Sequence, residues 1–190
     1  MANASPVKQV APATPALLAE SLGRSDQRLL RTTIAELAEL RVAFKRNGFN
    51  LKIAADESVR KVSDPQAVVL AGAADILVLK AAPLGGITRA MQIAHESGLA
   101  CAVSSALESS VGLAMGLHLA ASLPNFGLAA GLGTAALLAA DLTDEPLLPR
   151  DGELVVRRVN PSPRLLAAHA ASPQRRDWWL QRLAAAHALL

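Results

Sequence analysis

Apolar segments alternate with amphipathic segments along most of this chain. From Asp26 to Arg46 the apolar side chains recur at helical spacing, and Asn47-Gly48 follows as a helix-ending pair. Three short apolar runs come next at near-equal intervals, and segments of helical periodicity separate them. The runs cover 51–56, 75–80 and 99–103, and the helices cover 64–72, 87–97 and 109–122. A weaker run at 127–130 ends in Gly131-Leu132-Gly133-Thr134, and another helix follows to Ala140.

This alternation predicts an α/β fold with about four parallel βα units. Uninterrupted apolar strands are typical of parallel sheets in which both faces are covered. A TIM-type (β/α) barrel and a doubly wound sheet both satisfy the pattern. We therefore expect a parallel sheet with no large exposed face.

Three regions follow from the changes in composition. Residues 1–25 are rich in Pro and Ala and are expected to form a flexible lead-in, whereas 26–145 carry the βα units. Residues 146–190 are expected to be a C-terminal extension that packs on the barrel. It begins with a turn-rich link, continues with a short strand over 153–159, and ends in one or two amphipathic helices. Trp178 and Trp179 are expected to pack back on the body.

The composition narrows the class of protein. The chain has 190 residues, 52% hydrophobic and 18% charged, which is typical of a globular domain rather than a disordered one. Basic residues interleaved with aromatics are missing, which argues against nucleic-acid binding. We expect no signal peptide, and no apolar run reaches the roughly 20 residues that cross a bilayer. Cys101 is the single cysteine, so an internal disulfide is excluded and a cytoplasmic location is expected.

Polar or glycine residues follow each predicted strand. Parallel α/β folds place their active sites at the carboxyl ends of the strands, so these residues are expected to share one rim. They are Asp56-Glu57, Lys80, Ser104-Ser105 with Glu108, and Gly131-Leu132-Gly133.

Asp56 and Lys80 carry the strongest chemical signal in this set. A carboxylate is a preferred ligand of Mg²⁺, and Glu57 points the other way along the strand and would support that ligand. The alternative is that Asp56 caps the next helix. A lysine that ends an apolar strand is partly desolvated, which suits proton transfer or stabilisation of an enolate. The alternative is that Lys80 extends its amine into solvent.

The other candidates each have a structural alternative. Ser104, Ser105 and Glu108 are expected to bind a substrate carboxylate, although Ser105 and Glu108 also have the spacing of a helix capping box. The Gly85-Gly86 loop offers backbone N–H groups to an anion, or is a tight turn. The four histidines have no mutual metal-binding spacing and are expected to be surface or packing residues.

Four motifs, taken in order, resemble consecutive strand ends of the o-succinylbenzoate synthases of the enolase superfamily. The resemblance covers roughly residues 30–185 and is closest to the actinobacterial type. The motifs are Ala54-Ala55-Asp56-Glu57-Ser58, Val78-Leu79-Lys80-Ala81-Ala82-Pro83-Leu84-Gly85-Gly86, Ser104-Ser105-Ala106-Leu107-Glu108-Ser109-Ser110-Val111-Gly112, and Gly131-Leu132-Gly133-Thr134.

The resemblance implies the fifth to eighth strands of a (β/α)₇β barrel, which is a partial TIM-type barrel. It implies Mg²⁺ and the dehydration of a cyclohexadiene carboxylate, a small-molecule substrate, to o-succinylbenzoate in menaquinone biosynthesis. Asp56 resembles the third metal ligand, and Lys80 resembles the lysine opposite the catalytic base. Ser104, Ser105 and Glu108 resemble the loop near the succinyl group, and Gly131 and Gly133 resemble the last loop.

Two alternatives stay open at this point. The first is a related enolate-forming enzyme such as an N-succinylamino acid racemase, which needs a lysine on each face of its substrate. The second is an inactive remnant or a half-barrel subunit that associates with itself or with a missing N-terminal half. The family's base lysine and first two metal carboxylates belong to earlier strands, and no matching motif precedes Asp56.

Overall fold

The computed structural model describes residues 7–8, 33–56, 58–59, 63–124 and 128–189, in which helices cover a short parallel sheet. The strands are β1 (Val7–Lys8), β2 (Ala54–Ala55), β3 (Ile76–Leu79), β4 (Ala100–Val103) and β5 (Glu153–Leu154). The helices are α1 (Ile34–Arg46), α2 (Asp64–Leu70), α3 (Ile87–Ser97), α4 (Ser110–Ser122), α5 (Pro163–Ala168) and α6 (Pro173–His187), with a 3₁₀ turn at Thr134–Leu137.

The central sheet has the order β2-β3-β4, and all three strands run parallel. Leu77 of β3 lies opposite Ala55 on one side and Cys101 on the other, so the three strands are in register. Helices connect successive strands, because neighbouring parallel strands need a crossover connection. The predicted α/β fold and its first three βα units are confirmed.

Local signals explain where the helices begin and end. Thr33 and Glu36 form a reciprocal capping box at the start of α1, while the predicted start at Asp26 lies outside the described residues. Gly98 ends α3 in the left-handed conformation with φ of +64°, which a glycine adopts without a steric penalty.

The hydrophobic core lies between the sheet and the helices. Alternate strand residues point into it and are buried, namely Ala55, Leu77, Leu79, Cys101 and Val103. Removing each leucine side chain from water stabilises the fold by about 1.5–3 kcal/mol. The core is completed from the helices by Val68, Ala90, Ile93, Leu113 and Leu117.

The opposite face of the sheet is not covered to the same extent. Ala54 is exposed, and Ile76, Val78, Ala100 and Ala102 are only partly buried. The expectation that both faces would be covered is therefore wrong within the described residues. An uninterrupted apolar strand sequence fits both a sheet that is buried on both faces and a sheet with one apolar face partly exposed.

A partly buried ion pair connects α1 to the start of the sheet. Arg41 donates to Asp75 from Nε at 3.0 Å and from Nη2 at 2.6 Å, and the backbone N–H of Ile53 donates to the same carboxylate at 3.0 Å. The hydrogen bonds from Arg41 have the largest effect and, with the Ile53 N–H, hold the pKa of Asp75 below its usual value. Asp75 thereby connects α1, the approach to β2 and the start of β3.

The fourth predicted strand is reduced to a single contact. Residues 125–127 lie outside the description, residues 128–130 form no strand, and Gly131 makes an isolated parallel bridge to Ser104. The predicted helix to Ala140 is also wrong, because only the 3₁₀ turn at Thr134–Leu137 forms. Glycine weakens a strand, and this segment has glycines at 131 and 133.

A short strand and two helices lie towards the two ends of the described residues. β1 pairs antiparallel with β5, Val7 opposite Leu154 and Lys8 opposite Glu153. Trp178 and Trp179 are 44% and 57% exposed on α6, so the expectation that they pack back on the body is wrong. Their rings contact each other edge-on with 4.7 Å between centroids, and the Arg182 guanidinium lies 4.8 Å from the Trp178 ring, so their contacts are with residues of the same helix.

Across the described residues, no helix has the length and apolarity needed to span a membrane.

Candidate active site at the strand ends

Asp56 and Lys80 meet at the carboxyl ends of β2 and β3. The Lys80 ammonium donates to Oδ1 of Asp56, and the Lys80 side chain is 14% exposed compared with 43% for Asp56. Because side chains alternate along a strand, both residues share the partly open face with Ala54 and Val78. Lys80 is therefore not extended into solvent, and the Asp56 carboxylate pairs with an ammonium rather than capping a helix.

Ser104 and Gly131 occupy the next two positions along the same rim. The Ser104 N–H donates to Leu79 O at 3.0 Å, and the Gly131 N–H donates to Val103 O at 2.8 Å. A Cβ on Gly131 would lie 3.3 Å from Ser104 Oγ, so glycine allows the close approach of these two segments. The register places Ser104 beside Lys80, and the four predicted strand ends therefore converge on one rim.

The Ser105 side chain alternates with that of Ser104 and holds the Gly131 segment in place. Its hydroxyl donates to Gly131 O at 3.2 Å and lies 2.8 Å from Thr134 Oγ1, and the residue is 9% exposed. The alternative capping-box interpretation is wrong, because α4 begins at Ser110 and Glu108 instead accepts from the Ala106 N–H at 2.6 Å. Thr134 was not singled out from the sequence.

The loop between β4 and α4 packs closely beside Ser104 and leaves only a depression that is too small for a water molecule. Ala82, Ser104, Glu108 and Gly112 contribute to its lining. Glu108 packs so closely over Gly112 that a Cβ there would approach Glu108 Cβ to 2.8 Å. Leu107 has φ of +66°, a conformation that is costly for a residue other than glycine, and such strain is often found at functional sites.

Asp141 holds the start of α4, and the sequence did not reveal this. Its carboxylate accepts from the Ser110 N–H at 3.1 Å, from Ser110 Oγ at 2.5 Å and from the Leu142 N–H at 2.6 Å. Ser110 is fully buried, and its hydroxyl accepts in turn from the Leu147 N–H at 2.8 Å. A carboxylate at a helix N-terminus is stabilising, and here it comes from 31 residues away. This network positions the loop that carries Glu108.

The remaining candidates are placed less directly. Glu57 lies outside the described residues, and Gly133 opens the 3₁₀ turn, where its carbonyl accepts from the Ala136 N–H. Gly85 and Gly86 have φ of +90° and +105° and belong to a tight turn after Lys80. His118 bonds through Nδ1 to Ala114 O within its own helix, which agrees with a packing role.

The carboxylate of Asp56 does not make a magnesium site by itself. Mg²⁺ is usually bound through at least one or two carboxylates together with water or substrate oxygens. Over the part of the chain that is described, no group of three or more His, Cys, Asp or Glu residues could hold a metal ion. The partner that Asp56 does have is the positively charged Lys80, so these residues alone do not fit the ion.

Curated relatives resemble this chain over most of its length. The o-succinylbenzoate synthase of Mycobacterium tuberculosis is 52% identical over 158 residues, which are 83% of this chain and 47% of that protein. The enzyme of the same name from Mycobacterium marinum is 49% identical and matches 83% of this chain and 46% of its own length. The chain therefore spans about half the length of the curated relatives it matches.

Solved structures with a similar fold support the partial barrel. The muconate lactonizing enzyme from Pseudomonas putida is 28% identical with a TM-score of 0.60, over 72% of this chain and 39% of that chain. The 2-chloromuconate cycloisomerase from Rhodococcus opacus is 32% identical with a TM-score of 0.61, over 74% and 39%. Residues 27–161 match the model described as Enolase C-terminal domain-like, and the chain belongs to that family.

Proposed function

We propose that this chain supplies the C-terminal half of the active site of an o-succinylbenzoate synthase-like carbon–oxygen lyase. The reaction is the dehydration of 2-succinyl-6-hydroxy-2,4-cyclohexadiene-1-carboxylate to o-succinylbenzoate, in menaquinone biosynthesis. The observation that carries the proposal is the convergence of Asp56, Lys80, Ser104 and Gly131 on one rim in a chain 52% identical to such a synthase.

Lys80 is the catalytic residue of the proposal. A base removes the proton next to the substrate carboxylate and leaves an enolate. The hydroxyl then departs as water, with the proton returned to it by that base, which completes the dehydration. A fixed ammonium in a poorly solvated site stabilises the negative charge that develops in the first step. The Lys80 side chain is 14% exposed and Asp56 orients it, which supports this role.

The proposal needs groups that the described residues do not supply. A base must take the proton from the face opposite Lys80, and Mg²⁺, which the family resemblance implies, needs carboxylates besides Asp56. Ser104 follows β4 at the position beside Lys80, and the strained loop that carries Glu108 comes next along the chain, which supports binding of the substrate carboxylate at this end of the sheet.

Reconstitution tests the proposed reaction. The chain would be refolded or co-expressed with the part of the Mycobacterium tuberculosis relative that it does not match, and both dehydration and racemisation would be assayed. We expect o-succinylbenzoate to form and N-succinylamino acids to keep their configuration. Racemisation without dehydration would favour the racemase alternative, and a folded complex with neither activity would overturn the proposal.

A further inference from the structure

We infer that Glu108 is a positioning residue that holds the loop after β4 in place, and that it does not itself bind the substrate. Its carboxylate accepts from the Ala106 N–H, with 2.6 Å between the nitrogen and Oε2. The two residues stand on either side of Leu107, whose backbone is left-handed with φ of +66°. The hydrogen bond thus closes a tight reversal that a leucine adopts only at a cost in free energy.

Two buried serines anchor the ends of this loop. The Ser105 hydroxyl donates to Gly131 O on one side, and the fully buried Ser110 donates to the Asp141 carboxylate on the other. Neither anchor contacts the residues at 106–108, of which the first two are exposed. The hydrogen bond of Glu108 therefore fixes the part of the loop that lies between the two anchors.

Gly112 makes room for the Glu108 side chain on the first turn of α4. A Cβ at this position would lie 2.8 Å from Glu108 Cβ, closer than two side chains pack. The N–H of Ser110 at the start of the helix donates to Asp141 instead of Glu108. Glu108 therefore lies against α4 without capping it, and its hydrogen bond to Ala106 serves the loop.

The chemistry of a carboxylate also separates Glu108 from the substrate. The group that is proposed to bind at this end of the sheet is itself a carboxylate, and two ionised carboxylates repel each other and have no proton to donate. The Ser104 hydroxyl and the Lys80 ammonium are donors, so they suit direct contact with the substrate. Glu108 acts on the substrate through the position of the loop, and this part of the inference rests on the proposed function.

Two measurements test the inference. The first is amide exchange at Ala106 in the full chain, followed by nuclear magnetic resonance, and the second is KM and kcat of dehydration in the reconstituted barrel. Without the hydrogen bond the closed loop is less populated, so the exchange rate and KM should rise by the same factor. Glu108→Ala is expected to raise both about tenfold and to leave kcat within about twofold. Glu108→Gln keeps an acceptor oxygen and should restore wild-type values.

A control and a second variant make the test decisive. Glu96→Ala removes an exposed carboxylate from the end of α3, beside the amino end of β4, and should change neither quantity. If Glu108→Ala does not fold, Gly112→Ala makes the same test, because the added methyl group displaces Glu108 while alanine favours the helix.

The possible results separate this inference from the proposed reaction. Wild-type exchange at Ala106 in both Glu108→Ala and Gly112→Ala would refute the inference. So would a Glu108→Gln enzyme as impaired as Glu108→Ala, since that result means that the charge itself contacts the substrate. If the wild-type barrel forms no o-succinylbenzoate but the exchange rates differ as expected, the proposed function fails and the role of Glu108 in holding the loop stands.

Discussion

The two sides of the strand-end rim are held in place by different interactions. On the Asp56 and Lys80 side, a backbone ladder and an apolar core determine where the strand ends lie. On the Ser104 and Gly131 side, a single backbone bridge is present instead of a ladder. There the Ser105 hydroxyl binds Gly131, and the Asp141 carboxylate binds Ser110 at the start of α4. Where regular strand pairing ends, hydrogen bonds from side chains distant in sequence therefore hold the segments in place.

The difference suggests that the two sides should respond to different changes. Loss of apolar volume should damage the ladder side most, since packing is its main source of stability. Loss of a single polar group should act mainly on the other side, where one carboxylate or hydroxyl serves several donors and acceptors.

Leu77→Ala should have the largest effect on stability. Leu77 is fully buried at the centre of β3, and its truncation leaves a cavity that costs about 2–5 kcal/mol of unfolding free energy. Urea denaturation of the wild-type and variant chains measures the loss. Leu70→Ala, at a position 80% exposed, should change the free energy by less than about 0.5 kcal/mol. Equal effects at the two positions would mean that the core does not lie where the structure places it.

Asp141→Ala should be the most damaging change on the polar side. It removes the acceptor of the Ser110 N–H, the Ser110 hydroxyl and the Leu142 N–H, and a hydrogen bond to a charged group contributes about 1.5–3 kcal/mol. We expect a loss in that range, together with faster amide exchange at the start of α4 but not in β3. Asp177→Ala, on the exposed helix α6, is the control. Unchanged exchange near Ser110 would refute the positioning role.

The Asp75 carboxylate should make stability depend on pH. Its pKa in the folded chain lies below the usual value of about 3.9, so its contribution is complete above that value and is lost as the pH falls through the folded pKa. Asp75→Asn should cost about 1–2 kcal/mol at pH 7, and the difference from wild type should shrink below about pH 4. Denaturation series at several pH values measure this. A gap that stays constant down to pH 2 would contradict the assignment.

Ser105→Ala should have the smallest effect of the four. The hydroxyl contacts Gly131 O and Thr134 Oγ1, and its loss should cost about 1 kcal/mol. Ser122→Ala, whose exposed hydroxyl bonds only within its own helix, is a matched control that should cost less. A neutral Ser105→Ala would show that the bridge at Gly131 holds the fourth position without help.

Periodicity predicted the regular part of the fold from local signals alone. The helix over Ile87–Ser97 was predicted with its observed bounds, because an amphipathic run and a left-handed Gly98 mark its extent. The parallel strands and the convergence of their ends followed from apolar runs at even spacing. Such features depend on neighbours within a few residues, which a sequence displays directly.

The parts that were missed depend on contacts between distant residues. Asp141 caps α4 across 31 positions, and Thr134 joins Ser105 across 29, so neither pairing leaves a local pattern. The Ser105 and Glu108 spacing matched a capping box, but the helix starts later, at Ser110. Trp178 and Trp179 were expected to pack back on the body, yet they lie on an exposed helix, where Arg175 and Arg182 stack over the Trp178 ring.

The role of Lys80 is the claim on which the functional account depends. The most direct measurement is the dehydration rate of the reconstituted barrel with Lys80→Met, compared with Lys52→Met at an exposed lysine just before β2. We expect Lys80→Met to lose at least about 100-fold in rate, as removal of one group that stabilises developing charge does in other enzymes. Lys52→Met should stay within about twofold of wild type. Equal rates for wild type and Lys80→Met would contradict the account.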